Sequence, residues 1–583
     1  MKRFFYLALA LLWGPFSQAQ TNISCTNPTA EAVMKGDYER ADYLPTTIIT
    51  NPDEIVDHLM TNITADSLKA YIIKLASFGN RNTGADTLSA TKGMGASRRW
   101  VHQKFTEFSA AAENRLLPGY LQFDQDICGM GQHRNTIAVL PGTAADERDI
   151  IIIEGHIDSR CSGACDIDCL AEGVEDNASG TALVIELARV MSQLSFEHTI
   201  VFMATTGEEQ GLFGANAFAT YASSQNIWIK GVLNNDVIGG IICGATSSEP
   251  SCPGENLIDS TQVRLFSLGG NGSKHKSWCR FIKLEYQEEV LPNAAVPMMI
   301  TLMSAEDRTG RGGDHIPFHD RNYTAMRFTA AHEHGDASNG PDYHDRQHTQ
   351  EDILGIDTDN DGVIDSFFVD FNYLRRNALI NANAAAMAAI GPIAPFNVLL
   401  STTDTEGEIR VEVVDNNDYN HYRIGFRTDQ MDFDSVYTLV GGKVDTITST
   451  QRFNWITAAS VDDNGVESLF SAERQAVLEF TNTSTSEPAS AERKRYELMP
   501  NRPNPFDEST IIGWMVYDPP SVNRGEVRIT DLNGRLVESL AVDLKLGLNE
   551  VLYRHGYRQL GTFIYSLVID GRVVDSKRMV FAN

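Results

Sequence analysis

Hydrophobic and polar residues alternate in two different ways along this chain of 583 residues. Between Asn51 and about Ile390, segments with apolar residues at helical spacing alternate with short, continuous apolar runs. The four consecutive isoleucines that follow Asp149 are typical of a strand buried on both faces. The helices are predicted over residues 53–78, 96–108 and 178–194, and the strands over residues 149–154, 199–204 and 227–237. This order predicts an α/β fold whose central sheet is mostly parallel or mixed and is flanked by helices.

The pattern changes after an alanine-rich segment at residues 381–390. Residues 391–395 are rich in glycine and proline and are typical of a linker. Short alternating runs separated by Asp, Asn and Gly then predict a small all-β sandwich over residues 393–480. A Ser/Thr-rich linker is predicted over residues 481–494, and a second small all-β sandwich over residues 495–583.

The N-terminal residues are typical of an export signal. Two basic residues precede an apolar run that is too short to span a bilayer, and Ser17 and Ala19 supply the small residues of a cleavage site. We expect residues 1–19 to be a signal peptide and residues 20–50 to form an N-terminal extension. No later segment approaches about 18 uninterrupted apolar residues, so we expect no transmembrane segment in the mature chain.

The composition argues against two classes of partner. The chain has 48 Lys and Arg residues against 77 Asp and Glu residues, which gives a formal net charge of −29. Nucleic acid and anionic lipid both require basic patches on the protein that binds them. We therefore expect no nucleic-acid partner and no surface that docks on anionic lipid.

The eight cysteines all lie in the first half of the chain. Their even number in an exported protein favours disulfides, whose pairing the spacing leaves open. Cys161, Cys165 and Cys169 are four residues apart, which would also suit a metal cluster. Because CxxC pairs of the zinc type are missing, disulfides are the preferred interpretation.

Acidic and imidazole side chains follow the predicted buried strands. The residues in question lie at four successive strand or helix ends: His156 and Asp158, Asp176, Glu208 and Glu209, and Asp236. Ligands of open α/β sheets bind at the carboxyl ends of the strands. Carboxylates that converge there repel each other unless a cation holds them, and histidine with several carboxylates suits zinc or a related divalent ion. The sequence therefore predicts a metal site.

The ordered set of HxD, DN-x-SG, GEE, ND and a late HTxxD resembles the co-catalytic zinc exopeptidases of metallopeptidase family 28. The resemblance covers about residues 51–390 and includes the lead-in segment Leu75–Arg81. It implies a zinc peptidase catalytic domain over that range, with the zinc exopeptidase fold. It also implies a secreted metalloaminopeptidase that hydrolyses N-terminal residues from peptides.

The resemblance also implies a role for each matching residue. Two zinc ions would share a bridging hydroxide, and an acidic rim would suit a substrate with a free α-ammonium group. The implied roles are first-metal ligands for His156 and Asp236, a bridging ligand for Asp176, a second-metal ligand for Glu209, a general base for Glu208 and a supporting acid for Asp158. The last ligand is His348 of the HTxxD pattern, or alternatively His344, which follows a tyrosine as the family's ligand commonly does.

Several alternatives stay open at this point. A glutaminyl cyclase or a carboxypeptidase of the same fold would reuse these ligands, and a cyclase needs only one metal ion. An inactive peptidase-like surface adhesion protein is a different class, but it would be expected to have lost ligands. Cobalt and manganese can share such ligands with zinc.

Three further resemblances lie in the second half of the chain. Asp357, Asp359, Asp361 and Asp365 resemble a calcium-binding loop of the DxDxDG kind, which adds Ca²⁺ as a possible cofactor. The segment 393–480 resembles a fibronectin type III domain, and residues 495–583 resemble the C-terminal sorting domain of type IX secretion. The latter implies the type IX secretion machinery as a partner and a secreted or cell-surface location, reached through the periplasm.

Overall fold

The computed structural model of the chain describes most of the sequence after residue 19. The described residues are 20–144, 148–242, 258–308, 310–331, 346–403, 405, 408–428, 431–448, 453–476, 495–506, 508–517, 520, 522–532, 534–555 and 560–582. The predicted signal peptide, the linker 481–494, Cys243, Cys252 and His344 therefore lie outside the described residues.

The α/β part of the chain contains the helices and the first eleven strands. The helices are α1 Pro28–Met34, α2 Pro52–Asn62, α3 Ala65–Ala76, α4 Gly93–Ala111, α5 Ser179–Met191, α6 Phe213–Ser224, α7 Lys274–Glu285, α8 Ile316–His319 and α9 Phe371–Ile390. The strands are β1 Thr21–Cys25, β2 Leu117–Ile127, β3 Met130–Leu140, β4 Ile150–His156, β5 Thr199–Thr205, β6 Ile229–Asn235, β7 Gln262–Phe266, β8 Met299–Leu302, β9 Ala325–Ala330, β10 Gly355–Ile356 and β11 Ser366–Phe367.

The remaining strands form the second half of the molecule. They are β12 Asn397–Thr402, β13 Glu408–Val414, β14 His421–Arg427, β15 Ser435–Val440, β16 Val444–Thr448, β17 Trp455–Val461, β18 Arg474–Gln475, β19 Tyr496–Leu498, β20 Ser509–Val516, β21 Arg524–Asp531, β22 Leu536–Asp543, β23 Gly547–Arg554, β24 Gly561–Ile569 and β25 Arg572–Phe581.

A nine-stranded mixed sheet lies at the centre of the α/β part, in the order β1-β2-β3-β5-β4-β6-β9-β7-β8. Strand β4 pairs in parallel with β5 and β6, and β6 pairs in parallel with β9. The four isoleucines of β4 are fully buried because helices cover both faces of these central strands. The predicted mixed sheet flanked by helices is confirmed.

The predicted helix over residues 53–78 is instead two helices, α2 and α3. The backbone is extended at Ile63 and Thr64, and the Thr64 side chain accepts a hydrogen bond from the backbone N–H of Ser67 at 3.3 Å. A threonine that caps a helix N-terminus in this way starts a new helix. The prediction of one helix was wrong because the apolar spacing continues across this cap.

Within the predicted N-terminal extension, residues 20–50, one short strand joins the α/β sheet. Strand β1 pairs antiparallel with β2 and forms one edge of the sheet. In α1, Ala30, Val33 and Met34 are buried in the same hydrophobic cluster as β2 and β3. The division predicted at Asn51 missed this pairing because the segment joins the sheet through a partner almost 100 residues away in the sequence.

Two antiparallel sandwiches follow the α/β part, as predicted. Strands β12, β13 and β16 face β15, β14, β17 and β18 in the first sandwich. Strands β19, β20 and β23 face β22, β21, β24 and β25 in the second, and each sandwich has its own hydrophobic core. The likeness of the first to fibronectin type III and of the second to a sorting domain stays a prediction.

Two disulfides hold the loop between β4 and α5, one within the loop and one that ties it to the turn between β2 and β3. Cys128 is bonded to Cys165, and Cys161 is bonded to Cys169. Disulfides, rather than a metal cluster, are therefore confirmed for these four cysteines. None of the helices in the described part of the chain is both long and apolar enough to cross a bilayer.

Candidate metal centre

The predicted ligands lie at one edge of the mixed sheet. His156 is the last residue of β4, and Asp236 directly follows β6. Glu208 and Glu209 lie in the loop after β5, and Asp176 lies in the turn that leads into α5. Because β4 pairs in parallel with both β5 and β6, the carboxyl ends of these strands meet. The structure therefore brings these five residues together.

Two groups of ligand atoms share one carboxylate. In the first group, His156 Nε2 lies 3.1 Å from Asp176 Oδ1 and 3.2 Å from Asp236 Oδ1. In the second group, His348 Nε2 lies 3.1 Å from both Asp176 Oδ2 and Glu209 Oε2. Asp176 thus presents one oxygen to each group, which is the arrangement of a bridging ligand.

The atom types and distances of these groups fit two zinc ions. Zinc binds imidazole nitrogen and carboxylate oxygen at about 2.0–2.2 Å, so neighbouring ligand atoms of a tetrahedral ion lie about 3.3 Å apart or slightly more. Each group supplies three protein ligands, which leaves a fourth position open, as in catalytic zinc sites. His348 is placed in the second group, whereas the alternative, His344, lies outside the described residues.

Asn177 and Gly180 hold the two sides of the cluster together. The Asn177 side chain donates to the Asn235 carbonyl oxygen at 2.8 Å and accepts from the Gly180 N–H at 2.9 Å. A Cβ on Gly180 would lie 2.1 Å from the same Asn235 oxygen, so only glycine allows this approach. The DN-x-SG motif therefore positions Asp176 close to Asp236.

Asp158 supports the cluster through its backbone as well as its carboxylate. His156 Nδ1 lies 3.1 Å from the Asp158 carbonyl oxygen and 3.7 Å from its carboxylate. The carboxylate accepts hydrogen bonds from the backbone N–H groups of Glu208 at 3.4 Å and Glu209 at 3.2 Å. Asp158 therefore orients both the histidine and the loop that carries the two glutamates.

Two residues of the cluster region have left-handed backbone conformations. The φ angle is 59° at His348 and 57° at Val237, which directly follows Asp236. A β-branched residue such as valine is a clear outlier at this angle, and such positions cost about 1–3 kcal/mol. Backbone strain of this kind is concentrated at functional sites, where the surrounding packing holds the backbone in the strained conformation.

Imidazoles and carboxylates in the cluster shift each other's pKa. Burial by itself would lower the pKa of His348, but Glu209 and Asp176 outweigh this effect and raise it to about 10. Burial would likewise raise the pKa of Asp176, but hydrogen bonds with His156 and His348 hold that pKa well below its ordinary value. Protons and metal ions are thus alternative ways to balance these carboxylates, and metal binding would release the protons.

Glu208 lies beside both groups. One of its carboxylate oxygens is within 4.8 Å of ligand atoms of His156 and Glu209. Burial raises the pKa of Glu208 well above its ordinary value, His156 opposes the rise, and the charges of Asp236 and Glu209 reinforce it. A carboxyl group with a raised pKa can accept and return a proton close to neutral pH.

Comparisons with known proteins place this cluster in a family. The model of peptidase family M28 matches residues 135–367, a range that contains every residue of the two ligand groups. A probable zinc metalloprotease of Leptosphaeria maculans is 30% identical over 380 residues, which cover 63% of this chain and 84% of that protein. The chain belongs to peptidase family M28.

Two further proteins are similar to this M28 peptidase. A probable zinc metalloprotease of Pyricularia oryzae is 32% identical over 367 residues, which cover 60% of this chain and 70% of that protein. The crystal structure of the Legionella pneumophila LapA aminopeptidase has a TM-score of 0.42 and 17% identity, and the match covers 58% of this chain and 75% of that one. Family membership makes this chain a zinc-dependent peptidase.

Sequence reasoning missed a group of arginines in the M28 peptidase. A cavity of about 420 Å³ borders the metal cluster, and four arginines line it: Arg160, Arg308, Arg311 and Arg327. The acidic rim that the sequence suggested is thus only part of the wall. Arg160 carried a signal, because it lies just two residues after Asp158. Arg308, Arg311 and Arg327 lie more than 100 residues further along the chain, and no sequence pattern links them to the ligands.

Arg327 is the most deeply buried of these arginines. Its guanidinium lies 3.1 Å from Asp236 Oδ2 and 3.1 Å from Asp307 Oδ1, and the side chain has no exposed surface. Asp307 also lies 2.9 Å from Arg308 Nε. Arg327 therefore connects a candidate metal ligand to a second ion pair behind the wall of the cavity.

Three of the four predicted calcium ligands lie close together in the structure. Asp357, Asp359 and Asp361 place one oxygen each within 4.8 Å of the others. Asp365 is not part of this group, and its carboxylate instead accepts hydrogen bonds from the Thr358 N–H at 3.0 Å and the Thr358 hydroxyl at 2.5 Å. Calcium binding stays a prediction, now with three converging carboxylates.

Proposed function

We propose that this M28 peptidase is a co-catalytic dizinc exopeptidase that releases N-terminal residues from peptides. The shared carboxylate of Asp176 supports two ions, because its two oxygens belong to separate ligand groups. Two zinc ions, when bound by these groups, would activate the attacking water, polarise the scissile carbonyl and offer a coordination site to the terminal amine.

Glu208 is the proposed general base. It would take a proton from the attacking water and pass it to the leaving amine. Asp158 holds the backbone N–H groups of Glu208 and Glu209, so it keeps the base and a ligand at a fixed separation. Arg327 orients Asp236 through the contact at 3.1 Å.

The size of the cavity supports action on a chain end. A volume of about 420 Å³ lies in the range of sites for small molecules, about 300–1,000 Å³. Such a cavity accommodates one terminal residue and its neighbour more readily than a long stretch of polypeptide. We infer that the substrate enters by its end.

Replacement of Glu208 by Gln tests this proposal. In the zinc-loaded full chain we expect kcat for aminoacyl anilides to fall by about 10²–10⁴-fold, with zinc content unchanged, because the amide cannot accept the proton. Activity is measured on a panel of aminoacyl anilides with chelator and after zinc is added back, and zinc content by elemental analysis. Glu54→Gln, in the exposed first turn of α2, is the matched control.

Four results would contradict the proposal. Near-normal activity in Glu208→Gln would remove Glu208 as the base, and a loss of zinc in this variant would make Glu208 a ligand instead. No cleavage of any anilide by the zinc-loaded wild type would exclude the aminopeptidase. A metal-to-protein ratio close to one would favour the glutaminyl cyclase alternative, which needs a single ion.

We also propose that the protein is exported, with residues 1–19 as its signal and residues 495–583 as a type IX secretion sorting domain. The two disulfides support an oxidising compartment, since such bonds persist outside the cytoplasm. N-terminal sequencing of the mature protein should begin close to residue 20. Recovery of the intact N-terminus from the cytoplasm would contradict export.

A further inference from the structure

A second group of polar side chains lies on the central sheet next to the metal cluster. Glu154 and Asn234 each lie two residues before a candidate metal ligand, and they are paired in register on β4 and β6. Ile152 and Val232, two residues earlier in the same strands, pack in the hydrophobic cluster that contains residues of α6 and α8. Because side chains alternate along a strand, Glu154 and Asn234 lie on that face of the sheet as well.

The loop before α8 covers these two side chains. The Thr205 hydroxyl, on the neighbouring strand β5, donates to Asp314 Oδ2. An added Cβ on Gly313 would lie 3.2 Å from both Asn234 Oδ1 and His315 Nδ1, so the loop backbone passes directly against the strand residue. The loop and the strands thus enclose one group of four side chains, which we call the inner polar cluster: Glu154, Asn234, Asp314 and His315.

The two carboxyl groups of the inner polar cluster lie close together. Burial raises the pKa of Glu154, and Asp314 adds more to this rise than any other neighbouring charge. All four side chains of the cluster are fully buried. Two buried carboxylates at short range are costly unless a positive group compensates them.

Most polar atoms of the inner polar cluster have no hydrogen-bond partner within the described part of the chain. The atoms concerned are Oε1 and Oε2 of Glu154, Oδ1 and Nδ2 of Asn234, Oδ1 of Asp314 and Nδ1 of His315. The remaining oxygen of Asp314 is bonded to a hydroxyl and not to a lysine or arginine. Buried polar atoms are rarely left in this state, so a bound group is expected among them.

The unpartnered atoms are almost all acceptors. His315 Nε2 lies 3.1 Å from the Glu306 carbonyl oxygen, which can only accept, so Nε2 carries the proton. Burial lowers the pKa of His315, which keeps the ring neutral and leaves a lone pair on Nδ1. Five acceptor atoms therefore stand against a single donor, the amide nitrogen of Asn234. Lone pairs concentrated in this way favour a cation.

We propose that the inner polar cluster binds a monovalent cation, and that K⁺ fits it best. Carboxylate and amide oxygens are the ligands that hard cations prefer. Within the part of the chain that the structure describes, Glu154, Asp314 and His315 do not form a compact group with ligand atoms within 4.8 Å of one another, as the zinc ligands do. A small divalent ion needs short, regular distances, whereas K⁺ is larger and accepts protein oxygens in place of its hydration shell.

The ion connects the loop before α8 to the central strands. It lies between Asp314 of that loop and the side chains of Glu154 and Asn234. These two strand residues are followed two positions later by His156 and Asp236, so the ion steadies the strand ends that carry candidate zinc ligands.

Thermal unfolding of the zinc-loaded full chain tests the cation site. The unfolding temperature is compared in KCl, NaCl and choline chloride at equal concentration and pH, since choline is too large to enter a buried cluster. An ion that binds only the folded state stabilises it, so we expect about 100 mM KCl to raise the unfolding temperature by at least about 2 °C over choline chloride. The increase should grow with the logarithm of the K⁺ concentration and be smaller in NaCl.

Substitutions and crystallography then locate the ion. Glu154→Gln and Asp314→Asn each remove one charge and should reduce the increase due to K⁺ to less than about half of the wild-type value, because the ion loses a carboxylate ligand. The matched controls are Glu54→Gln and Asp57→Asn, which are exposed in α2 and should leave it unchanged. Crystals of the wild type grown with Rb⁺ in place of K⁺ should show an anomalous peak among the oxygens of the inner polar cluster, and this measurement does not require the variants to fold.

The outcomes separate this inference from the proposed function. Equal unfolding temperatures in the three salts overturn the cation site, and so does an anomalous map without a peak at the inner polar cluster or a K⁺ effect that is undiminished in both variants. A larger increase in NaCl overturns K⁺ as the ion. None of these measurements involves peptide hydrolysis, whereas the proposed function fails on the activity of the wild type and of Glu208→Gln.

Discussion

Gly180 shows how one backbone position controls the metal cluster. It lies four residues after Asp176, and its α-carbon faces the carbonyl oxygen of Asn235, the residue before Asp236. Two candidate ligands on different elements are therefore held together by a contact that has no room for a methyl group. The left-handed angles at Val237 and His348 lie in the same region. The cluster depends on backbone geometry as much as on its ligands.

We expect Gly180→Ala to destabilise the protein and weaken zinc binding. A Cβ placed 2.1 Å from a backbone oxygen forces a shift that costs about 1–3 kcal/mol, and this shift separates Asp176 from Asp236. Urea unfolding and zinc affinity in a chelator competition measure the two effects. Gly131→Ala is the control, since no atom lies within 4 Å of its added Cβ. Unchanged zinc affinity in Gly180→Ala would contradict this account of the motif.

At the scale of elements, buried acids lie where α7 meets the first sandwich. Glu285 ends α7, Glu467 follows β17, and both are buried. Burial raises the pKa of Glu467 to about 8, Arg423 opposes the rise and Glu288 reinforces it. Burial also raises the pKa of Glu285, with Glu467 as the next contributor. The junction therefore favours protonated carboxyls.

The sign of the pH dependence follows from this shift. The pKa of Glu467 is higher in the folded protein than the value of about 4.3 in an unfolded chain, so the fold binds the extra proton. This contribution to stability is complete below about pH 4 and is lost as the pH rises towards 8, by up to about 1.4 kcal/mol per pH unit. We expect Glu467→Gln to be more stable than the wild type at pH 8. Its stability should also fall less steeply than that of the wild type as the pH rises.

Thermal unfolding of the full chain between pH 5 and 8.5 checks this expectation. Glu412→Gln, a partly exposed position in the same sandwich, should follow the wild-type curve. A difference in unfolding temperature between Glu467→Gln and the wild type that stays constant at every pH would show that Glu467 does not titrate over this range.

At the scale of the whole molecule, Lys283 joins three parts of the chain. Its Nζ lies 2.5 Å from Asp432 Oδ2 in the first sandwich and 2.9 Å from Glu550 Oε2 in the second. Arg554 Nη2 of the second sandwich also lies 3.2 Å from Asp259 Oδ1 of the α/β part. The C-terminal sandwich is thus docked on the peptidase domain.

We expect Lys283→Met to loosen both junctions. Removing the cation takes an ion partner from the partly exposed Asp432 and from the buried Glu550, which keeps Arg502 at 3.1 Å. Because breaking a fully buried ion pair costs about 3–5 kcal/mol, we expect a cost below that range. The variant should unfold at a lower temperature and be cleaved faster in limited proteolysis. Lys577→Met, which removes a partly exposed lysine from β25, is the control. Wild-type protease resistance in Lys283→Met would show that the docking does not depend on this lysine.

The sequence predicted elements where a local signal was strong and missed them where a distant partner decided. The four consecutive isoleucines of β4 predicted a central strand, because a strand with one face exposed would alternate apolar and polar residues. By contrast, the cap at Thr64 was hidden within a continuous apolar pattern, and β1 was recognisable only by its pairing with β2. The helix break at Thr64 depends on a side-chain hydrogen bond, and strand β1 depends on its register with β2, and neither leaves a periodic pattern in the sequence.

The sequence by itself determined the chemistry of the centre, because the ligand types follow the strands whose ends must meet in a parallel sheet. The resemblance already implied a bridging role for Asp176 and named His348 as a ligand, but only tertiary structure placed one Asp176 oxygen in each group and paired Cys128 with Cys165. Tertiary structure alone brought Arg160 and Arg311 to one imidazole. These contacts join loops far apart in the chain, so their geometry exists only after the sheet has formed.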